Sequence, residues 1–341
     1  MDIKGALARI VEGGDLTQDE SAAVFQEIMT GVATPAQMGA LLAAIRVKGE
    51  TPAELAGAAL TMRALSTRVA VEHPNLVDTC GTGGSGTKLF NISTAAAFVA
   101  AAAGAHVAKH GNRKMTSFCG SADLLEAAGV NLQLTPEQIA TCVLEVGVGF
   151  MFAQDHHSAM RFAGPVRQEI GIRTMMNVLG PMTNPAGARR QVIGVFSDTW
   201  QLPMAEVLKL LDCEHAMIVH SNGLDEIRLD APSSVVELKN GEITEYQISP
   251  EDFGIAKRDA NAELSADSVD SSLALVKQAL SEPDSAAADI VSLNAGAAIY
   301  VSGVATTHAN GVLMAQDAIA SGLAKERLDE LARITSMMAE P

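Results

Sequence analysis

The stretch DTCGTGGSGTKLFNIST, residues 78–94, places Gly81, Gly83, Gly84 and Gly86 between the end of an apolar run and the start of a helical one. A glycine inside regular structure costs roughly 0.5–1 kcal/mol relative to alanine, so four together imply a use for bare backbone. The chemistry that such a loop offers is phosphate binding. Exposed N–H groups meet the oxygens, and a helix N-terminus behind them adds partial positive charge. An ordinary strand-to-helix turn has the same composition. GTGGSG lacks the spacing of the dinucleotide fingerprint and is not followed by the GK[ST] of a P-loop. Ser93 reads as the N-cap of the following helix.

Two other clusters bear on the same chemistry. KHGNRKMTS, residues 109–117, follows the next apolar run, so Lys109, Arg113 and Lys114 fall at the strand-end edge where open α/β sheets bind ligands, with Asn112 and Ser117 as hydrogen-bonding groups. NGLDEIRL, residues 222–229, carries the adjacent carboxylates Asp225 and Glu226, hard ligands of the kind that hold Mg²⁺ together with substrate phosphates. The alternative for the first is a solvated basic loop, the weaker account in so acidic a chain; a bare Asp-Glu pair would favour an exposed turn, and its place at a strand end beside a phosphate loop makes it a metal candidate. His156 and His157 are adjacent and lack zinc-site spacing, and Arg167 is a single arginine on a predicted helix.

The elements that must position these residues show in the wider pattern. Residues 1–70 read as helices with marked starts: Thr17 with Glu20, Thr34 before Pro35, and Thr51 before Pro52 with Glu54. From residue 76 short apolar runs alternate with helical stretches, which predicts a mostly parallel sheet covered by helices. Strands are expected at 76–80, 106–110, 148–153, 191–196 and 215–221, and a hairpin about Asn240-Gly241. The tail returns to helices.

The chain has 341 residues and a formal net charge of −16, which repels nucleic acid and anionic membrane unless a local patch reverses it. One segment does: between Asp78 and Ser121 stand Lys88, Lys109, Arg113 and Lys114 against Asp78 alone. The longest apolar stretch, AAAFVAAAAGA, is too short to span a bilayer. The N-terminal residues do not read as a secretory signal, and the scattered Cys80, Cys119, Cys142 and Cys213 read as reduced thiols of a cytoplasmic protein.

In this order, GTGGSGTKLFNIST, KHGNR, GSADLLEAAG, FAQDHHSAM, GPVRQEIGIRT, LGPMTNPAG and HSNGLDE resemble the anthranilate phosphoribosyltransferase family over nearly the whole chain. The resemblance implies an α/β fold of the nucleoside phosphorylase/phosphoribosyltransferase kind. A small helical domain of 1–70, joined by helices from about 160–188, would pack on a large α/β domain of 71–341 with a mostly parallel central sheet. It implies transfer of the 5-phosphoribosyl group from phosphoribosyl pyrophosphate to the amine of anthranilate with Mg²⁺, giving N-(5-phosphoribosyl)anthranilate and pyrophosphate. That is the second step of tryptophan biosynthesis from chorismate, carried out by a homodimer.

Carried over motif by motif, the resemblance assigns phosphoribosyl pyrophosphate to Gly81, Gly84, Ser85, Asn91, Ile92, Ser93, Thr94, Lys109, His110, Gly111, Asn112, Arg113, Lys114, Thr116, Ser117 and Ser121. Anthranilate falls to Gly81, Asn112, His157 and Arg167, the last facing the carboxylate, and the metal to Ser93, Asp225 and Glu226. Three departures stand out. Ser85 replaces the family's usual Asp, Leu89 replaces a frequent Thr, and HSNGLDE is one residue shorter than the usual HSxDGLDE. Pyrimidine nucleoside phosphorylase, a relative in architecture, would carry a KHSTGG-type loop instead of KHGNR. Nucleic-acid binders of this fold need an extended basic face, which −16 disfavours.

Overall fold

A computed structural model describes residues 1–84, 86–113 and 118–338. Ser85, Lys114, Thr116 and Ser117, all assigned to the substrate by sequence, lie outside the described residues.

Four helices come first: α1 (Ile3–Val11), α2 (Gln18–Met29), α3 (Pro35–Lys48) and α4 (Pro52–Ala64). Thr17, Thr34 and Thr51 each close a reciprocal capping box with Glu20, Gln37 and Glu54, so the start signals act as read, each contributing about 0.5–2 kcal/mol. The α/β alternation follows as β1 (Leu76–Gly81), α5 (Ile92–Ala102), β2 (His106–Gly111), α6 (Ser121–Ala127), α7 (Pro136–Glu145) and β3 (Val148–Phe152). The chain then passes through α8 (Ala153–His156) and α9 (Met160–Ile170) to β4 (Arg190–Gly194), α10 (Gln201–Leu210) and β5 (His215–His220). The hairpin β6 (Ser233–Lys239) and β7 (Glu242–Ile248) precedes α11 (Val269–Ser281), α12 (Ala286–Val301), α13 (His308–Ala320) and α14 (Leu323–Met338).

The strands form one sheet in the order β3-β2-β1-β4-β5-β6-β7, parallel through β5 and antiparallel thereafter. Asn240 and Gly241 turn the hairpin with φ of 51° and 82°, the left-handed pair that a two-residue turn demands. Apolar runs such as HAMIVH are buried on both faces. Met217 and Val219 meet the layer of α5 and α11–α14, while Ala216 and Ile218 join a second core with α1–α4, α9 and α10. The parallel strands end together at one edge. Their following loops all open there.

Candidate active site

At that edge the glycine loop leaves β1. Gly83, Gly84 and Gly86 adopt φ of 65°, 82° and 71°, a left-handed backbone that other residues enter only with strain. Gly84 is needed for space as well. A Cβ there would stand 2.7 Å from Nη2 of Arg173, which donates to the Gly84 carbonyl at 2.8 Å, while the Arg173 Cζ lies 4.2 Å from the centroid of the Phe196 ring. Ser93 is not the N-cap. That position belongs to Asn91, whose side chain makes no bond to the first turn of α5 and instead donates to the Cys119 carbonyl (3.2 Å) and accepts from the Ser272 hydroxyl (2.7 Å). Ser93 and Thr94 occupy the first turn itself, with Ile92 buried behind them. Leu89 bridges to Ser265 and packs partly into the core.

The first turn of α5 faces the acidic pair. The shortened HSNGLDE loop is a tight turn, with Asn222 and Gly223 at φ of 48° and 86° and paired 3.0 Å bonds between Ser221 and Leu224. It lies so close to β4 that a Cβ on Gly194 would fall 1.6 Å from the Asp225 carbonyl. Asp225 Oδ2 accepts from the Gly83 N–H at 3.0 Å, and Glu226 Oε1 from the Ser93 N–H at 3.2 Å. Burial, then repulsion from Asp225, holds the Glu226 carboxyl well above the usual carboxylate range, and Lys109 and the Ser93 amide offset only part of this. Two crowded carboxylates beside an uncapped helix N-terminus are a donor set suited to Mg²⁺, which takes one or two carboxylates and leaves its other positions to phosphate and water. Among the described residues no group of three or more His, Cys, Asp or Glu side chains competes as a metal site.

The end of β2 brings the second cluster, with a correction to its charge. Lys109 lines the cleft, yet it is largely buried and its ammonium donates to the Thr79 carbonyl. Arg113 lines the cleft, but its guanidinium is paired with Glu126 (2.7 Å) and Asp123 (3.3 Å). Two acids outside the counted segment therefore balance part of the basic island. Gly111, Asn112 and Ser121 line the cleft, and the Asn112 carbonyl accepts from the Ala122 N–H.

Arg167 also lines the cleft, half-buried, with no ion pair to its guanidinium among the described residues. Burial holds its pKa below the ordinary value. His110 lines the cleft and His157 lies behind it, ring centroids 5.1 Å apart, each with a buried Nε2 that has no hydrogen-bond partner among the described residues. Burial and the charge of neighbouring histidines push them down to about 3 and about 4, so both rings are neutral. The whole cleft encloses about 380 Å³. Sequence reasoning missed Arg173, Asn177, Pro181 and Phe196, which also line it. Arg173 and Asn177 bracket residues 174–176 in the IGIRTMMN run, polar groups before the LGPMTNPAG turn, and that was the available signal.

Comparison with known proteins bears on the family and the fold. Residues 4–66 match the family described as glycosyl transferase family, helical bundle domain, and residues 73–325 the glycosyl transferase family, a/b domain. A protein of Teredinibacter turnerae named anthranilate phosphoribosyltransferase is 55% identical over 99% of this chain and 100% of its own length. The crystal structure of anthranilate phosphoribosyltransferase from Thermus thermophilus is 40% identical, with a TM-score of 0.92 over 97% of this chain and 99% of that one. The Saccharomyces cerevisiae enzyme, solved in complex with PRPP and Mg, shares the fold at 22% identity, with a TM-score of 0.87 over 98% of each chain.

Proposed function

The chain belongs to the anthranilate phosphoribosyltransferase family, and from that premise we infer how its cleft divides the work. The reaction transfers the 5-phosphoribosyl group from phosphoribosyl pyrophosphate to the amine of anthranilate. The observation that carries the division is one cleft with two opposite needs: a guanidinium at Arg167 with no ion pair among the described residues, and a crowded carboxylate pair at Asp225 and Glu226 whose charge Lys109 offsets only in part.

Phosphoribosyl pyrophosphate lies across the glycine loop and the first turn of α5, where Gly84, Asn91, Ser93 and Thr94 present small side chains and backbone groups. The Thr94 hydroxyl, buried with no partner among the described residues, is a donor for a substrate oxygen. Asp225, Glu226 and Ser93 are the residues that would hold Mg²⁺, which supplies charge neutralisation for the departing pyrophosphate. Arg113, already paired, positions the Asn112 loop more than it neutralises phosphate. Lys109, in the cleft lining, offsets part of the Glu226 charge.

Anthranilate places its carboxylate on Arg167 and its ring beside Asn112 and Gly81, with His157 behind. The neutral Nε2 of His110 accepts a hydrogen bond from the amine. The aromatic amine is already nucleophilic, so its alignment with ribose C1 contributes more than removal of its proton.

Residues 1–70, joined by helices from about 160–188, form the small helical domain beside the large α/β domain of 71–341, and the enzyme works as a cytoplasmic homodimer. Light scattering at twice the monomer mass tests the dimer. Loss of anthranilate fluorescence on adding phosphoribosyl pyrophosphate and Mg²⁺, abolished by a chelator, tests the reading. Unchanged fluorescence would overturn it.

A further inference from the structure

A second cavity, of about 410 Å³, lies at the opposite edge of the sheet, where β4 and β5 begin, roughly 17 Å from the cleft by the rise of a five-residue strand. Both connections between the helical bundle and the α/β part line it. Arg63 and Arg68 come from the outgoing segment, Gly187 and Arg189 from the returning one, and Asp212 from the end of α10. The connections run side by side, the Val69 N–H donating to the Pro185 carbonyl at 3.2 Å.

The three arginines have more donors than the protein uses. Nε of Arg63 donates to the Met182 carbonyl at 2.7 Å, and its two terminal nitrogens meet no partner among the described residues. Arg68 forms no hydrogen bond or ion pair with any described side chain, and its Nη2 stands 4.0 Å from where a Cβ on Gly187 would lie. Arg189 gives Nε to the Asp212 carbonyl (2.9 Å) and Nη1 to Glu214 (2.9 Å), leaving Nη2 open. Asp212 contributes the one carboxylate of the wall, and no ion pair joins it to any of these cations. Burial, with the nearby charge of Arg68, pulls the Arg63 pKa down, although Cys213 opposes this. A chain with a net charge of −16 has here kept three guanidiniums around one recess with too little acid to match them. Forked guanidiniums with unused N–H groups fit a tetrahedral oxyanion better than any neutral ligand.

We propose that this recess is a binding site for a phosphate-class anion, gripped by Arg63 and Arg68 with Arg189 at its rim. Because its walls are the two connections, the bound anion fixes the joint between the helical bundle and the α/β part. Free phosphate and the phosphate group of a small sugar phosphate share this chemistry, and the recess has room for either.

The test is hydrogen–deuterium exchange and calorimetry on the full chain with inorganic phosphate, and in parallel with ribose 5-phosphate. Phosphate should slow exchange in residues 65–72 and 184–189. The affinity should fall about 10- to 150-fold in Arg68→Gln, the loss of a charge-assisted bond. Arg68 is exposed, so that variant keeps the fold. Arg63→Lys should weaken binding in the same direction, while Arg113→Gln in the cleft should leave the protection of both segments unchanged. Tighter binding of ribose 5-phosphate with the same protected segments assigns the site to sugar phosphates, and equal binding assigns it to the free anion. No protection of either segment by either probe, or equal affinity in wild type and Arg68→Gln, overturns the proposal.

Discussion

Two glutamates flank β5, and their surroundings displace their protonation in opposite directions. Glu237 on β6 is buried, which pushes its carboxyl up, yet bonds from His215 (2.7 Å), Tyr246 (2.7 Å) and Tyr300 (2.8 Å) outweigh that and hold it at about 2. Glu226, on the turn after β5, has one backbone donor, a like-charged neighbour and a pKa raised well above the ordinary value. The same side chain type is thus finished by the fold in one place and left unfinished in the other. A satisfied buried charge belongs to stability, and an unsatisfied one at a cleft belongs to a ligand that arrives later.

Substitution of the unfinished glutamate should separate rate from stability most widely. Glu226→Gln keeps the shape and an acceptor for the Ser93 N–H but removes a crowded charge. We expect kcat/KM to fall about 10²–10³-fold, the scale of a lost electrostatic contact to a developing charge. The melting temperature should hold or rise. A drop in melting temperature without a rate effect would reverse the contrast between the two sites.

Arg167→Ala tests the cation of the same cleft, which has no ion-pair partner among the described residues. It should raise KM for anthranilate about 10- to 150-fold, the equivalent of roughly 1.5–3 kcal/mol for a charge-assisted bond. KM for phosphoribosyl pyrophosphate should change little. Equal changes in both would remove Arg167 from the carboxylate.

The finished glutamate should behave in the opposite way. Glu237→Gln breaks a network of three donors, at a cost of about 1–3 kcal/mol of stability, with steady-state kinetics unchanged. Its sign with pH follows from the depressed folded value. The charged form stabilises the fold above the unfolded pKa of about 4.3, and that contribution disappears as pH falls toward about 2. The gap in melting temperature between wild type and variant should therefore be constant near neutrality and close between about pH 4.5 and 2. A gap that widens on acidification would mean that Glu237 is not held charged.

What the sequence made legible follows the same division. Capping boxes, the Asn240-Gly241 turn and the apolar strands are local signals, and each formed where its residues predicted. The positions of Asp225 and Glu226 at a strand end were legible for the same reason. Charge balance was not, because it depends on tertiary partners: Arg113 looked free until α6 brought Asp123 and Glu126 against it. Ser93 looked like a cap, but Asn91 took that position because its side chain ties together two distant segments, at Cys119 and Ser272. Arg173 carried no local signal stronger than any other exposed arginine. Its meaning lies in a carbonyl 89 residues away.

That contact gives the smallest expected effect and refines the comparison most finely, because Arg173 is neither finished nor free. Its guanidinium is exposed, stacked on Phe196 and bonded through one nitrogen to the Gly84 carbonyl, which leaves other donors facing the cleft. The stacking contributes about 0.5–1 kcal/mol at an exposed site, and the single bond is solvent-screened. Arg173→Gln should therefore raise KM for phosphoribosyl pyrophosphate only a few-fold, by loosening the glycine loop before substrate arrives, while KM for anthranilate and the melting temperature stay within error. If Arg173 instead turns from Gly84 to grip the pyrophosphate during the reaction, kcat falls by an order of magnitude or more and the KM change is minor. The ratio of the two effects separates an arginine that shapes the loop from one that joins Asp225 and Glu226 in serving the leaving group.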